Sequence, residues 1–172
     1  MHVDKPFLDR PRSKFELRKI VQEVLGEWDI TGYFVMLQEH GATIYPNQHI
    51  IGVGEEELRW AEPAVVSSIL HEIGHIYLGH YLGEHDDCLL NHIDEYEADE
   101  FAFDAVKTRY GYVPTSAGLW MLASHSGWLW HHDTWGHPSY QHRWERLALN
   151  GLVPADFHKE IQALGLEKVE RV

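Results

Sequence analysis

One segment constrains the fold more than any other. Residues 63–78 are largely apolar, but His71, Glu72 and His75 interrupt the run. The length and composition of this segment predict a mostly buried helix, and Pro63 suits its first turn. Buried helices rarely carry three ionisable side chains without partners for them. Other parts of the chain are therefore expected to bring polar groups to this helix.

The three side chains form an H-E-x-x-H pattern, whose logic is geometric. Each helical residue turns by about 100°, so His71 and His75 lie about 40° apart on one face. Zinc accepts neutral histidine nitrogens at about 2.0–2.1 Å, so both rings can bind one ion. Glu72 can reach a metal-bound water without ligating the metal, which suits a general base. The pattern predicts a zinc site, although the 14 histidines of the chain make a chance match easier.

The next predicted helix, residues 91–110, offers a third ligand. Glu95 and Asp99 are four positions apart and share a face, and the small Ala98 allows that face to approach another helix. We expect Glu95 to ligate the metal and Asp99 to accept a hydrogen bond from a ligand histidine. Glu97 lies about 200° around the helix from Glu95 and cannot face the same ion. Glu95 is preferred because it alone pairs with an aspartate at i+4.

A later segment carries further polar groups. Peptide hydrolysis needs a group that stabilises the tetrahedral oxyanion, and His137, Tyr140 and His142 are chemically able to do so. Arg143 can bond to Glu95 or to a bound substrate. Residue chemistry alone does not separate these roles from a helix start with incidental polar residues.

His80 is out of register for the third-ligand position of another class of zinc peptidase. We expect it at the surface near the end of the motif helix, where the helix dipole favours a cation.

The composition argues against several partners and locations. The formal net charge of -13 disfavours direct binding to nucleic acid or anionic lipid. The single cysteine, Cys88, cannot form an internal disulfide. The first 13 residues lack the apolar region of a signal peptide, and no apolar run approaches the roughly 20 residues that span a bilayer. We expect a cytoplasmic protein with no membrane span.

The motifs, taken together, resemble those of the M48 family of gluzincin metallopeptidases. The resemblance covers roughly residues 63–149 and rests on three segments. They are His71-Glu72-Ile73-Gly74-His75, Glu95-Tyr96-Glu97-Ala98-Asp99, and His137-Pro138 followed by Arg143. A weaker resemblance, through the Glu95 helix with Phe101 and Ala102, is to ImmA/IrrE-type peptidases, which lack the third segment.

The M48 resemblance implies roles residue by residue. His71, His75 and Glu95 are the implied zinc ligands, Glu72 the base and Asp99 the partner of a ligand. His137 is the implied transition-state stabiliser, and Arg143 organises the acidic ligand or the substrate. The resemblance also implies that an edge strand before the motif helix, residues 49–53 here, binds an extended substrate. Many members of the family are membrane proteins, and this chain looks like a minimal relative without a span.

The expected fold is α+β, a mostly helical zincin-like domain that spans residues 1–172, with a small β-sheet before the H-E-x-x-H helix. Strands are predicted at 33–38 and 49–53, separated by a turn segment at 41–48. The motif helix is predicted to run from Glu62 to about Tyr81, with Gly83 after its end. Further helices are predicted from Ser13 to Gly26, at 115–123, 138–149 and 154–164.

The expected function is hydrolysis of a peptide or protein substrate by a zinc-activated water. One alternative is a zinc-binding structural or regulatory module without turnover, in which a histidine such as His125, His131, His132 or His142 supplies a fourth ligand. The other is a latent peptidase whose cleft a chain segment covers. The tryptophans at positions 120, 128, 130 and 135 are expected mostly to fill packing space rather than a substrate cleft.

Overall fold

The computed structural model describes residues 4–81, 92–123, 133–134, 136–153 and 159. Within these residues it is mostly helical with one small sheet, which confirms the predicted α+β class. The helices are α1 Lys14–Glu27, α2 Glu62–Tyr77, α3 His92–Tyr110, α4 Leu119–Ala123 and α5 Tyr140–Leu149. The strands are β1 Phe34–Gln38, β2 Thr43–Tyr45 and β3 Ile50–Gly54. Over the described ranges, none of the helices is both long and apolar enough to cross a membrane. The helix predicted at 154–164 lies outside the described residues.

The start of α1 follows from local chemistry. The Ser13 hydroxyl accepts a hydrogen bond from the Glu16 amide, and the Glu16 carboxylate accepts one from the Ser13 amide. This capping box satisfies two of the amide groups that a helix N-terminus leaves unpaired. The helix then buries Leu17, Val21 and Val24 against the core. The predicted first helix is confirmed, with its last residue at Glu27 rather than Gly26.

The sheet has the order β1-β3-β2, so β3 is its central strand. The strands β1 and β3 run parallel, and β2 pairs antiparallel with β3. Two predicted strands are confirmed to within one residue at each end. The strand β2 was not predicted, because its three residues lie between Gly41 and Pro46 and are too short to show an alternating pattern.

The order of strands corrects one expectation. Residues 49–53 cannot serve as an edge strand for substrate, because β3 is the central strand and is paired with β1 on one side and β2 on the other. Within the described residues the edge strands are β1 and β2, and the edge that concerns the site is that of β2. This edge lies beside the motif helix, since the amide of Ile44 in β2 donates a hydrogen bond to Glu72 of α2.

The motif helix α2 ends at Tyr77, earlier than the predicted Tyr81. Gly79 has a positive φ of 76°, which a residue without a side chain adopts readily. The amide of Gly79 bonds to the carbonyl of Ile76, and the amide of His80 bonds to the carbonyl of His75. This pair of hydrogen bonds is a Schellman motif. The glycine that follows the end of the helix is therefore Gly79 and not Gly83, and the chain folds back over the last helical turn.

The helices α2 and α3 make the most extensive contact between two elements of the described structure. Gly74 of α2 faces Ala98 of α3 so closely that a Cβ atom built on Gly74 would lie 3.2 Å from the Ala98 Cα atom. Ala98 was expected to allow close approach, and Gly74 is the matching small residue in the opposite helix. The two small residues bring the ligand-bearing faces of α2 and α3 together.

A Gly74→Ala substitution tests this close contact. The new methyl group would lie 3.1 Å from Phe101 Cδ1 and 3.2 Å from the Ala98 backbone, so the helices must separate. We expect unfolding free energy to fall by about 1–3 kcal/mol, as is usual for an overpacked core. Urea unfolding of the metal-free protein measures it.

Gly26→Ala is the matched control. Gly26 also lies within a helix, but no neighbouring atom of the described residues lies within 4 Å of the place that an added methyl group would take. Alanine in a helix interior is favoured over glycine by roughly 0.5–1 kcal/mol, so this variant should be more stable than the wild type. Equal gains in both variants would contradict the close contact of α2 and α3.

Candidate metal site

Three side chains from α2 and α3 converge at one point. The ligand atoms of His71, His75 and Glu95 all lie within 4.8 Å of one another. The two histidine Nε2 atoms are 3.1 Å apart. Glu95 Oε2 lies 3.5 Å from His71 Nε2, and Glu95 Oε1 lies 3.5 Å from His75 Nε2. The structure therefore brings together the three predicted ligands.

The spacing of these ligand atoms matches the size of a divalent cation. Ligand bonds of about 2.0–2.1 Å at tetrahedral angles place neighbouring ligand atoms about 3.3–3.4 Å apart. The two Nε2 atoms are 3.1 Å apart, and each lies 3.5 Å from a different oxygen of Glu95. Both oxygens of Glu95 are buried without a regular hydrogen bond in the described structure, although basic side chains approach them to 3.2–3.5 Å. Burying a carboxylate is costly unless positive charge compensates it, and a cation between the ligands would do so. The three residues fit a bound zinc ion.

In the metal-free site, the pKa values of the two ligand histidines are shifted in opposite directions. Burial lowers the pKa of His71, but contacts with Asp99 and Glu95 outweigh it and raise the value to about 9. Burial, together with the neighbouring His71, lowers the pKa of His75 to about 2. Burial also opposes ionisation of Glu95, yet contacts with His137 and His71 hold its pKa well below the usual range. A proton on His71 thus occupies the place that a metal ion takes when it binds.

Asp99 and Arg143 contact the ligand side chains and hold them in place. Asp99 Oδ1 lies 2.9 Å from His71 Nδ1, so the carboxylate can hold the proton on the nitrogen that faces away from the site. Arg143 donates two hydrogen bonds to Asp99, at 2.7 and 2.6 Å. Its guanidinium also lies 3.5 Å from Glu95 Oε2. Both side chains are 1% exposed, so these charges are neutralised by each other rather than by water.

Glu72 lies beside the ligands and faces the cleft. Its Oε2 atom accepts a hydrogen bond of 3.0 Å from the amide of Ile44 in β2. Burial raises the pKa of Glu72 to about 7, against the effects of His71 and this amide. Because the Ile44 amide points to α2 and not to β3, the side of β2 that pairs with no other described strand faces the site.

The cleft in front of the ligands has a volume of about 410 Å³. Its walls come from the β1–β2 connection and the start of β2, from α2, α3 and α4, and from the residues around the start of α5. They include His40, Thr43, Glu72, Trp120, His137 and Tyr140. The cleft is large enough for several residues of an extended peptide, and its polar groups converge on the three ligands.

The polar residues around α5 separate into two groups. His137 is 57% exposed at the cleft, and its Nδ1 atom lies 3.2 Å from Glu95 Oε2. Tyr140 also lines the cleft, and burial raises the pKa of its hydroxyl. The ring of His142 points elsewhere and bonds to Asp133 at 3.0 Å. His137 and Tyr140 therefore stay candidates for the oxyanion stabiliser, while His142 is turned away from the ligands.

The expectation that His80 is a surface residue is wrong. Its side chain is 5% exposed, and its Nδ1 atom lies 2.8 Å from His75 Nδ1. The other ring nitrogen lies 3.2 Å from Glu97 Oε2. The misassignment has a physical cause, since a helix that continued to Tyr81 would carry His80 around to another face. Gly79 was the available signal for the earlier end of the helix.

Trp120 has both of the roles that were weighed for it. It is 7% exposed and belongs to the hydrophobic core, and its ring packs 5.0 Å from the ring of His71. It also lines the cleft. The tryptophans at 128, 130 and 135, like His125, His131 and His132, lie outside the described residues.

Comparisons with family models, with curated proteins and with solved structures found no match to this chain. The resemblance to the M48 family therefore rests on the motif residues themselves. What the site can do has to be argued from its own geometry.

An Arg143→Met substitution tests how the buried charges are balanced. It would remove the guanidinium from two buried carboxylates, Asp99 and Glu95, and leave His71 as the cationic side chain between them. Breaking a buried ion pair from one side costs roughly 3–5 kcal/mol, and we expect that loss in the unfolding free energy of the metal-free protein.

Arg146→Met is the matched control on the same helix. Arg146 bonds to Glu100 at the surface and is 44% exposed. Exposed ion pairs are worth about 0–1 kcal/mol, so this variant should unfold almost as the wild type does. If the two variants lost similar amounts of unfolding free energy, the buried contact between Arg143 and Asp99 would contribute no more to stability than an exposed ion pair.

Proposed function

We propose that this protein is a zinc-dependent peptidase of the gluzincin type. His71, His75 and Glu95 hold the metal ion in this proposal. The observation that carries it is the convergence of three buried side chains: the two histidine Nε2 atoms lie 3.1 Å apart and each lies 3.5 Å from one oxygen of Glu95, with Glu72 beside them on the wall of a cleft. The two elements that such hydrolysis needs, a metal ligand set and a neighbouring base, are thus adjacent.

In the proposed mechanism, each residue of the site has a separate role. His71, His75 and Glu95 would hold a zinc ion, which would supply Lewis acidity to a scissile carbonyl and lower the pKa of a water to about 7. Glu72 takes the proton of the attacking water and later gives it to the leaving amine. The amide of Ile44 holds one oxygen of Glu72, which leaves the other free to face the cleft. His137, at the rim and partly exposed, donates to the oxyanion of the substrate.

The substrate class follows from the free edge of β2. An extended peptide can lie along this edge through groups other than the Ile44 amide, which Glu72 occupies, and its backbone would then pass Glu72. This places the binding strand at Thr43–Tyr45, instead of the residues 49–53 that the resemblance implied. The net charge of -13 supports a peptide substrate over nucleic acid. The single cysteine supports a cytoplasmic location.

The main alternative is a zinc-binding module without turnover. A structural zinc site has four protein ligands, whereas a catalytic site keeps one position open. Among the described residues, three side chains are placed to ligate one ion at the site: His71, His75 and Glu95. This number favours catalysis, and a fourth ligand from the histidines at 125, 131 or 132 would favour the module.

Glu72→Gln is the sharpest test of the proposed chemistry. Glutamine keeps the size of the side chain and an acceptor for the Ile44 amide, but it cannot take a proton. We expect one zinc per chain to be retained, while cleavage of a fluorogenic peptide mixture falls by about 10²–10⁴-fold. Metal content and cleavage rate are measured on the same preparations.

Glu145→Gln, the same change at an exposed position of α5, serves as the control and should keep both properties. Full turnover in Glu72→Gln would exclude Glu72 as the base. A wild type that holds zinc but cleaves none of the peptides, even after removal of a terminal segment, would favour the module over both an active and a latent peptidase.

A further inference from the structure

The early end of α2 brings one histidine against another. In the Schellman motif around Gly79, the residue after the glycine folds back on the residue five positions before it, and apolar side chains usually meet there. Here those two residues are His80 and His75. Their ring centroids are 5.1 Å apart, and their Nδ1 atoms are 2.8 Å apart. A contact that is usually apolar has become a hydrogen bond to a proposed metal ligand.

Metal binding fixes the direction of this hydrogen bond. The Nε2 atom of His75 faces the other two ligand atoms, so it must present a lone pair to the ion. The proton of a neutral His75 then resides on Nδ1. Because a hydrogen bond has one donor and one acceptor, His80 Nδ1 accepts that proton. The remaining proton of His80 is on Nε2 and is donated towards Glu97 Oε2 at 3.2 Å, with Asp94 Oδ1 at 3.8 Å.

We propose that His80 is a positioning residue, which holds His75 in the tautomer and orientation that bind the metal through Nε2. The inference rests on the proposed metal site and adds to it a chain of contacts that runs from Glu97 through His80 to His75. His71 has the corresponding support from Asp99. Both histidine ligands thus have their outer nitrogen held, one by a carboxylate and the other by a neutral ring that a carboxylate holds in turn.

A second interpretation concerns His80 with Asp94 and Glu97. Their ligand atoms lie within 4.8 Å of one another, so the three residues resemble a second cation site. A cation there would need the lone pair of His80 Nε2, which moves the proton of His80 to Nδ1. His75 Nδ1 would then have to accept, and Nε2 of His75 would carry the proton. The geometry therefore favours the positioning role, because the two groups cannot both bind an ion while both rings are neutral.

The test compares two substitutions of His80 by zinc affinity, measured by competition with a chromophoric chelator. In His80→Leu the acceptor is lost, and we expect affinity to fall by 10- to 100-fold, the usual effect of removing a group that orients a metal ligand. In His80→Asn the amide oxygen occupies the place of Nδ1, two bonds from Cβ, and can still accept from His75. We expect this variant to lose less than about tenfold. If His80 contributed only to packing, the asparagine variant would bind zinc no more tightly than the leucine variant.

A matched control and a spectroscopic measurement complete the experiment. His142→Leu removes a half-exposed histidine that bonds to Asp133, and it should bind zinc as the wild type does. In the zinc-loaded wild type, ¹⁵N-detected histidine spectra should place a proton on Nδ1 of His75 and on Nε2 of His80. This measurement does not depend on whether His80→Leu folds.

The outcomes separate this inference from the proposed function. Wild-type affinity in His80→Leu, or a proton on Nδ1 of His80, would overturn the positioning role and leave the metal site standing. Two zinc ions per wild-type chain, with one lost in Glu97→Ala, would assign His80 to a second site instead. A wild type that binds no zinc would overturn both the inference and the proposed function.

Discussion

The close approach of α2 and α3 is the constraint on which the site depends. Gly74 and Ala98 allow the two helix backbones to come together, and their Cα–Cβ directions are fixed by the helices themselves. His71 and His75 then stand on either side of Gly74 along one face, opposite Glu95 and Asp99. Larger residues at the contact would move the carboxylate of Glu95 away from the two Nε2 atoms. The spacing of the ligand atoms is therefore set by two residues that have no part in the chemistry.

A second constraint is that the converging groups are charged and buried. His71, Glu95, Asp99 and Arg143 are all at most 5% exposed, so each needs a partner inside the protein. Arg143 and Asp99 satisfy each other, and His71 is held by Asp99. Glu95 has His137 and Arg143 within 3.2–3.5 Å of Oε2, yet neither of its oxygens makes a regular hydrogen bond in the described part of the chain, and His71 Nδ1 also lacks one. The two Glu95 oxygens lie where a cation would bind.

The sequence predicts well what depends on regular helices. The helical period places His71, His75, Glu95 and Asp99 correctly, because all four lie inside helices that the structure contains. The failures concern irregular backbone. The strand β2 is too short to show a pattern, so its pairing with β3 and its free edge beside Glu72 could not be foreseen. The end of α2 depends on the positive φ of Gly79 and was placed four residues late, which hid the contact between His80 and His75.

The binding of one metal ion by His71, His75 and Glu95 is tested most directly by the zinc content of the purified protein. Elemental analysis compares the wild type with His75→Ala, and circular dichroism verifies that both are folded. We predict close to one zinc per wild-type chain and a loss of that zinc in the variant. A folded wild type without metal after zinc addition, or a variant that keeps its zinc, would contradict this prediction.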